Sequence, residues 1–187
     1  MEIRPLRLHG AYEILPTPNH DERGYFMRAY DGPIFHEHGL QTSWIQENQS
    51  LSLRKHTIRG LHFQRPPHAE TKLVRVISGE AHDIILDLRK GSATFGKWHS
   101  ITLSADNKKM LYIPRGFAHG MCTLTDNCVM LYKVDNYYAP ESEGIIRWDD
   151  PNLGIDWPAD NPILSEKDSR AQSFKAFVEK YGGLEVE

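Results

Sequence analysis

Between Lys72 and Val134 short runs of β-prone residues alternate with turn-forming clusters, and this rhythm limits the fold more than any other feature of the chain. Lys72 to Ile77 ends at Ser78-Gly79, and Ala81 to Leu88 ends at Arg89-Lys90-Gly91-Ser92. Trp98 to Leu103 ends at Ser104-Ala105-Asp106-Asn107, Met110 to Ile113 ends at Pro114-Arg115-Gly116, and Cys128 to Val134 follows Thr125-Asp126-Asn127. Strands this closely spaced predict an antiparallel sandwich or barrel. Asp83 to Leu88 partly alternates, as a strand with one face in the core does. Two short helices are expected outside the strands. One covers Pro33 to His38, with Pro33 at its start and Gly39 at its stop. The other covers about 173–181, where Phe174, Phe177, Val178 and Tyr181 form one apolar stripe and Gly182 is a C-terminal cap. That stripe is expected to dock on the barrel.

The 187 residues suffice for one domain with a buried core. It divides into an N-terminal strand arm (about 1–50), a barrel core (about 51–140) and a C-terminal loop and helix (about 141–187). A net charge of −3 gives no global basic field for nucleic acid, so any anion site must be a local cluster. No apolar run approaches the roughly 18 residues of a membrane span, and Met1-Glu2-Ile3-Arg4 opens no signal-peptide pattern. The expectation is a cytoplasmic protein that binds neither membrane nor nucleic acid. Cys122 and Cys128 read as two reduced core thiols.

Thr57-Ile58-Arg59-Gly60-Leu61-His62-Phe63-Gln64 and Lys72-Leu73-Val74-Arg75-Val76 carry the candidate chemistry. Alternation puts His62 and Gln64 on one strand face and Phe63 on the other. A histidine is the usual side chain for taking a proton near neutral pH. Lys72 and Arg75 fall on opposite faces, so at most one of them points inward, where a lysine could hold an oxyanion developing on a carbonyl. Pro114-Arg115-Gly116-Phe117-Ala118-His119 is a P-x-G-x-x-H turn that aims His119 into the barrel. The one H-x-H, His36-Glu37-His38, lies on the first expected helix, so the ligand set for zinc or iron is incomplete and neither a metal nor another cofactor is expected. Tyr132 is a core aromatic or, if it faces inward near a base, a proton donor from the opposite side of a substrate. Ser165-Glu166-Lys167-Asp168 reads as a helix capping box, with the alternative that Asp168 orients His62.

The chain resembles dTDP-4-dehydrorhamnose 3,5-epimerase and related nucleotide-sugar epimerases of the cupin superfamily. The resemblance rests on Asp21-Glu22-Arg23-Gly24-Tyr25-Phe26, Gln46-Glu47-Asn48-Gln49-Ser50, Arg59 to Gln64, Lys72 to Val76, Gly116 to Gly120, Tyr132-Lys133, Trp148 to Pro151 and Leu164 to Asp168. It implies a mainly β fold, a cupin jelly-roll barrel with a few short peripheral helices, assembled as a homodimer with N-terminal strand exchange. It implies epimerisation at C3 and C5 beside the C4 ketone of a 4-keto-6-deoxy sugar nucleotide, through an enolate. His62 would then be the base, Asp168 its partner, Tyr132 the acid on the far face and Lys72 the enolate stabiliser. Arg23, Gln46, Asn48, Arg59, His119 and Lys167 would hold sugar and diphosphate, with Phe26 beside them and Tyr138 stacking near the base. Met27-Arg28 stands where the family has a pair whose glutamate reads thymine, so Arg28 points to another base, such as cytosine or guanine. The competing readings are a C3-only epimerase, a 3,4-ketoisomerase and, from other classes, a non-catalytic sugar-binding cupin or a metal-dependent oxygenase.

Overall fold

The computed structural model describes residues 1–186. Thirteen strands are present among the described residues. They are β1 (Glu2–Pro5), β2 (Tyr12–Leu15), β3 (Asn19–Asp21), β4 (Gly24–Phe26), β5 (Gln46–Ser52), β6 (Ile58–Gln64), β7 (Lys72–Ser78), β8 (Glu80–Asp87), β9 (Trp98–Ser104), β10 (Met110–Ile113), β11 (Phe117–Thr123), β12 (Cys128–Val134) and β13 (Glu143–Ile145). A six-stranded sheet runs β1-β2-β10-β7-β12-β5, and a five-stranded sheet runs β13-β6-β11-β8-β9. The strand pairs within both sheets are antiparallel. The hairpin of β3 and β4 stands apart. Two sheets closed over one interior make the jelly-roll barrel of the cupins.

Three apolar clusters hold this arrangement. Val74, Val76 and Met130 of the larger sheet meet Ala81, Ile85, Leu103 and Met121 of the smaller one inside the barrel. On the outer face of the smaller sheet Leu61, Phe63, Ile84 and Leu86 pack against Phe177 of α3 (Phe174–Tyr181). On the outer face of the larger sheet Ile14, Leu73 and Met110 pack against Phe35 of α1 (Gly32–Glu37). Full burial of a side chain like Phe177 contributes about 1.5–3 kcal/mol. Helix α1 starts one residue before Pro33 and ends on the cap His38, with Gly39 just beyond it at φ +67°, and α3 closes on the expected glycine. Asp31 caps α1 through its side chain, Ser173 caps α3, and Gly182 closes α3 at φ +64°.

Two expectations need correction. Asp83 to Leu88 does not have one face in the core: both faces of β8 are buried, because α3 and Leu184 cover the outer one. The stretch after Gly116 is not only a turn that aims a histidine. Phe117–Thr123 forms a fully buried strand between β6 and β8. A strand buried on both faces loses the alternation by which one is recognised, and Gly120 weakens its β signal further.

Candidate active site

β6 and β12 lie in different sheets and face each other across one open end of the barrel. A cleft of about 320 Å³ opens there, with His62 on the β6 wall and Lys72 and Tyr132 on the opposite wall. Gln46 and Asn48 of β5 line it beside Tyr132, and Tyr138 and Glu143 close its rim. Alternation explains the Lys72 side. Lys72 shares a face with Val74 and Val76 of the interior cluster, while Leu73 turns out to α1. Tyr132 is the register partner of Asn48 and Val74, which fixes it on the same inner face.

Gly60 sets the position of His62. A Cβ there would lie 2.6 Å from both the Cα of Gly120 and the carbonyl oxygen of His119. At φ +116° only glycine lets β6 approach β11 so closely. The register of this pair slips between His119 and Met121, a bulge of the kind that re-aims side chains beside a site.

His62 Nε2 lies 2.6 Å from Asp168 Oδ1. The carboxylate accepts, so Nε2 carries a proton. Asp168 sits on the one-turn helix α2 (Glu166–Ser169), where the Ser165 hydroxyl accepts from its backbone N–H at 3.0 Å. The cap and the orienting role are therefore compatible: the Asp168 backbone serves the cap while its carboxylate serves His62. Burial alone pushes the Asp168 carboxyl up, but the hydrogen bond from His62, its charge, and the Ser165 and Gly60 donors hold it below its ordinary value.

The cations of the cleft are all paired. Lys72 Nζ lies 3.1 Å from Glu70 Oε1. Lys167 pairs with Glu143, which also accepts from the Tyr138 hydroxyl at 3.2 Å. Burial lowers the Lys167 ammonium pKa, but the hydrogen bond and charge of Glu143 raise it above its usual value. Tyr138 N donates to Gln46 Oε1 at 3.0 Å, so the rim is tied to β5.

Of the expected site residues, His62, Lys72, Tyr132, Gln46, Asn48 and Tyr138 line the cleft, with Asp168 directly behind His62 and Lys167 at the rim. Arg59 lies farther along the same wall, its guanidinium on Ser52 Oγ and the Leu51 carbonyl, both at 3.0 Å. His119 projects into the barrel as expected but does not line the cleft, because its Nε2 is bonded to both carboxylate oxygens of Asp83 at 3.0 Å. Arg23, Phe26 and Arg28 belong to the arm and line no part of the cleft of their own chain. Arg23 pairs with Asp21, Arg28 with Asp31 at 3.4 Å, and Phe26 is 70% exposed. Among the described residues no group of three or more His, Cys, Asp and Glu side chains is disposed to hold a metal ion.

Glu70, Glu143 and Asp83 escaped the sequence reading. Glu70 stands two residues before Lys72, the spacing that puts two side chains on one side of an extended chain, and that signal was available. Glu143 reaches the cleft only through the pairing of β13 with β6, which no local pattern announces.

The arrangement brings together an imidazole hydrogen-bonded to a buried carboxylate, a phenol on the opposite wall and an ammonium 6.0 Å from the centre of that phenol ring. The family model of dTDP-4-dehydrorhamnose 3,5-epimerase matches residues 5–176. The dTDP-4-dehydrorhamnose 3,5-epimerase of Methanothermobacter thermautotrophicus is 49% identical over 164 residues, covering 86% of this chain and 88% of that one. The solved dTDP-6-deoxy-D-glucose-3,5-epimerase of Legionella pneumophila, in complex with dTDP-4-keto-L-rhamnose, superposes with TM-score 0.92 at 36% identity, covering 100% of this chain and 98% of that one. A 3'-monoepimerase of Streptomyces bikiniensis in complex with dTDP-quinovose superposes with TM-score 0.90 at 31% identity, covering 98% and 92%. On a match of this extent the chain belongs to the dTDP-4-dehydrorhamnose 3,5-epimerase family.

Proposed function

We propose that this chain inverts C3 and C5 of a nucleoside-diphosphate 4-keto-6-deoxy sugar, with His62, Asp168, Lys72 and Tyr132 carrying the chemistry. The observation that supports this most is the His62–Asp168 pair on one wall and Tyr132 on the other, drawn from opposite sheets. His62 Nδ1 takes the proton from a carbon beside the ketone. The C–H electron pair moves into the ring and the carbonyl electrons onto the C4 oxygen, where the Lys72 ammonium stabilises the enolate. The Tyr132 hydroxyl then delivers a proton to the opposite face, and the ketone re-forms with the carbon inverted. Both carbons flank one ketone, so one ammonium serves both inversions. Loss of the abstracted proton from His62 to solvent and uptake of one by Tyr132 reset the pair.

Gln46, Asn48 and Tyr138 hold the sugar and its nucleotide, with Lys167, Arg59 and His119 beside them. Arg23, Phe26 and Arg28 reach a cleft only from a second copy of the chain, as the N-terminal arm of a homodimer. The outer face of the larger sheet supports this: Leu51 of the edge strand β5 is exposed and pairs across the strands with Val129, and Ile77 of β7 is exposed as well. Light scattering of the purified chain tests the dimer. The two buried free cysteines fit a reducing compartment, which supports the cytoplasmic reading.

The relatives' names give dTDP as the nucleotide. A second reading, a base other than thymine, is favoured by Arg28, which offers only donors beside the exposed Phe26. Incubation with dTDP-, CDP- and GDP-linked 4-keto-6-deoxy sugars, read by NMR of the products, tests both. Inversion at C3 and C5 supports the proposal. Inversion at C3 alone makes the chain a mono-epimerase, and a displaced carbonyl makes it a ketoisomerase. A clear preference for dTDP sinks the second reading and leaves the first.

A further inference from the structure

Lys72 is a long side chain in a tight place. It is 8% exposed, and a buried ammonium requires a paired charge or costs several kcal/mol, on the order given for desolvated ions. Its four torsions also carry on the order of 2 kcal/mol of rotamer entropy that something must overcome. The partner that meets both demands is Glu70, whose Oε1 lies 3.1 Å from Lys72 Nζ. Glu70 is itself fixed. Its Oε2 accepts from Gln64 Nε2 at 3.2 Å, and Gln64 Oε1 accepts from the Ala139 N–H at 2.7 Å. Gln64 Nε2 also reaches the carbonyls of His68 and Tyr137, at 2.9 and 3.1 Å. A chain of contacts thus runs from the buried Gln64, two residues from His62 on β6, through Glu70 to the ammonium on β7. It ties the wall that carries the base to the wall that carries the enolate stabiliser.

We infer that Glu70 is a positioning residue, which holds the Lys72 ammonium at the C4 oxygen and fixes its distance from His62. The inference rests on the role proposed above for Lys72. An ammonium has three donors. One is engaged by Glu70 and two remain for a ketone that becomes an enolate. Glu143 is the other carboxylate that lines the cleft, and it stands at the rim. Without Glu70 the ammonium is drawn toward Glu143 and away from the reacting carbon.

The test combines Glu70→Ala, Glu70→Gln and Lys72→Ala, with deuterium wash-in from heavy water into the 4-keto sugar nucleotide as the activity. Misplacement of a reacting group by about 1 Å costs on the order of 100-fold, so E70A should lower kcat by about that much and leave KM near wild type. E70Q, which keeps an acceptor oxygen for Nζ, should recover most of the loss. In the K72A background the residual rate should be indifferent to E70A, because the two residues act through one another. Equal losses from E70A in both backgrounds, or wild-type kcat in E70A, overturn the inference. A second measurement needs no turnover: acylation of Lys72 by N-hydroxysuccinimidyl acetate, read by peptide mass spectrometry in the substrate-free protein. Lys72 should become more reactive in E70A and not in E70Q, while Lys133 serves as internal reference; unchanged Lys72 reactivity in E70A refutes the pinning. A wild-type protein that takes up no deuterium defeats the proposed activity, and the acylation result then still decides the Glu70 contact.

Discussion

Asp168→Asn is the most informative single substitution in the proposed mechanism. The carboxylate is 4% exposed and lies 2.6 Å from His62 Nε2, so the imidazolium formed on proton abstraction develops against a desolvated anion. Two unit charges about 4 Å apart attract by about 4 kcal/mol at an effective dielectric of about 20. Asparagine keeps the shape and, with Oδ1 toward the ring, keeps a neutral hydrogen bond of about 1 kcal/mol. The loss is therefore up to about 3 kcal/mol, a fall in the exchange rate between about 10-fold and about 150-fold. Should the amide turn its NH2 to the ring, the wrong tautomer forms, and the cost rises toward about 10⁴-fold, the size seen for such a replacement in serine proteases. The assay is deuterium wash-in at fixed saturating substrate, with KM measured alongside. A D168N enzyme within about threefold of wild type, well under one tenfold step of 1.4 kcal/mol, refutes the dyad. Stability supplies a second check with a definite sign. The Asp168 carboxyl is held below its unfolded value of 3.8, so its contribution is full above that pH and is lost as pH falls through the lower folded value. The stability gap between wild type and D168N should accordingly narrow as the pH drops below about 4.

Three further outcomes are expected. Tyr132→Phe should retain hydrogen exchange better than net inversion, because abstraction by His62 survives while far-face delivery is lost; NMR distinguishes exchanged from inverted product, and equal loss of both removes Tyr132 as the acid. Phe177→Ala empties a fully buried site under α3 and should cost about 3–5 kcal/mol in urea unfolding, whereas a cost under about 1 kcal/mol means α3 is not anchored there. Burial pushes the Cys122 thiol up to about 11 and raises Cys128 as well, so iodoacetamide near neutral pH should label both only after unfolding.

Much of this molecule was legible in its sequence, and the gaps have physical causes. The strands at Lys72, Met110 and Cys128 could be read because Ser78-Gly79, Pro114-Arg115-Gly116 and Thr125-Asp126-Asn127 punctuate them. Helix α3 was legible because its stripe has a helical period and its stop is a glycine that adopts the left-handed conformation. Phe117–Thr123 was not, since a central strand buried on both faces carries no alternation. Position along the chain says nothing of the contact between His62 and Asp168, made between residues 106 positions apart. The sequence offers Asp168 as a cap or as a partner of His62, and the fold puts its backbone N–H on the Ser165 cap and its carboxylate on the His62 ring. The arm residues show the opposite limit: Arg23, Phe26 and Arg28 are easy to pick out, yet none of them lines the His62 cleft of its own chain.

The central claim is that one imidazole, at position 62, removes the proton at both carbons. Mass-spectrometric counting of deuterium in the sugar nucleotide after incubation in heavy water, with wild type and His62→Ala side by side, addresses it most directly. The expected result is two solvent-derived deuterons per wild-type product, one at C3 and one at C5, and none above the enzyme-free control with the variant. Labelling by His62→Ala at a wild-type rate, at either carbon, contradicts the account.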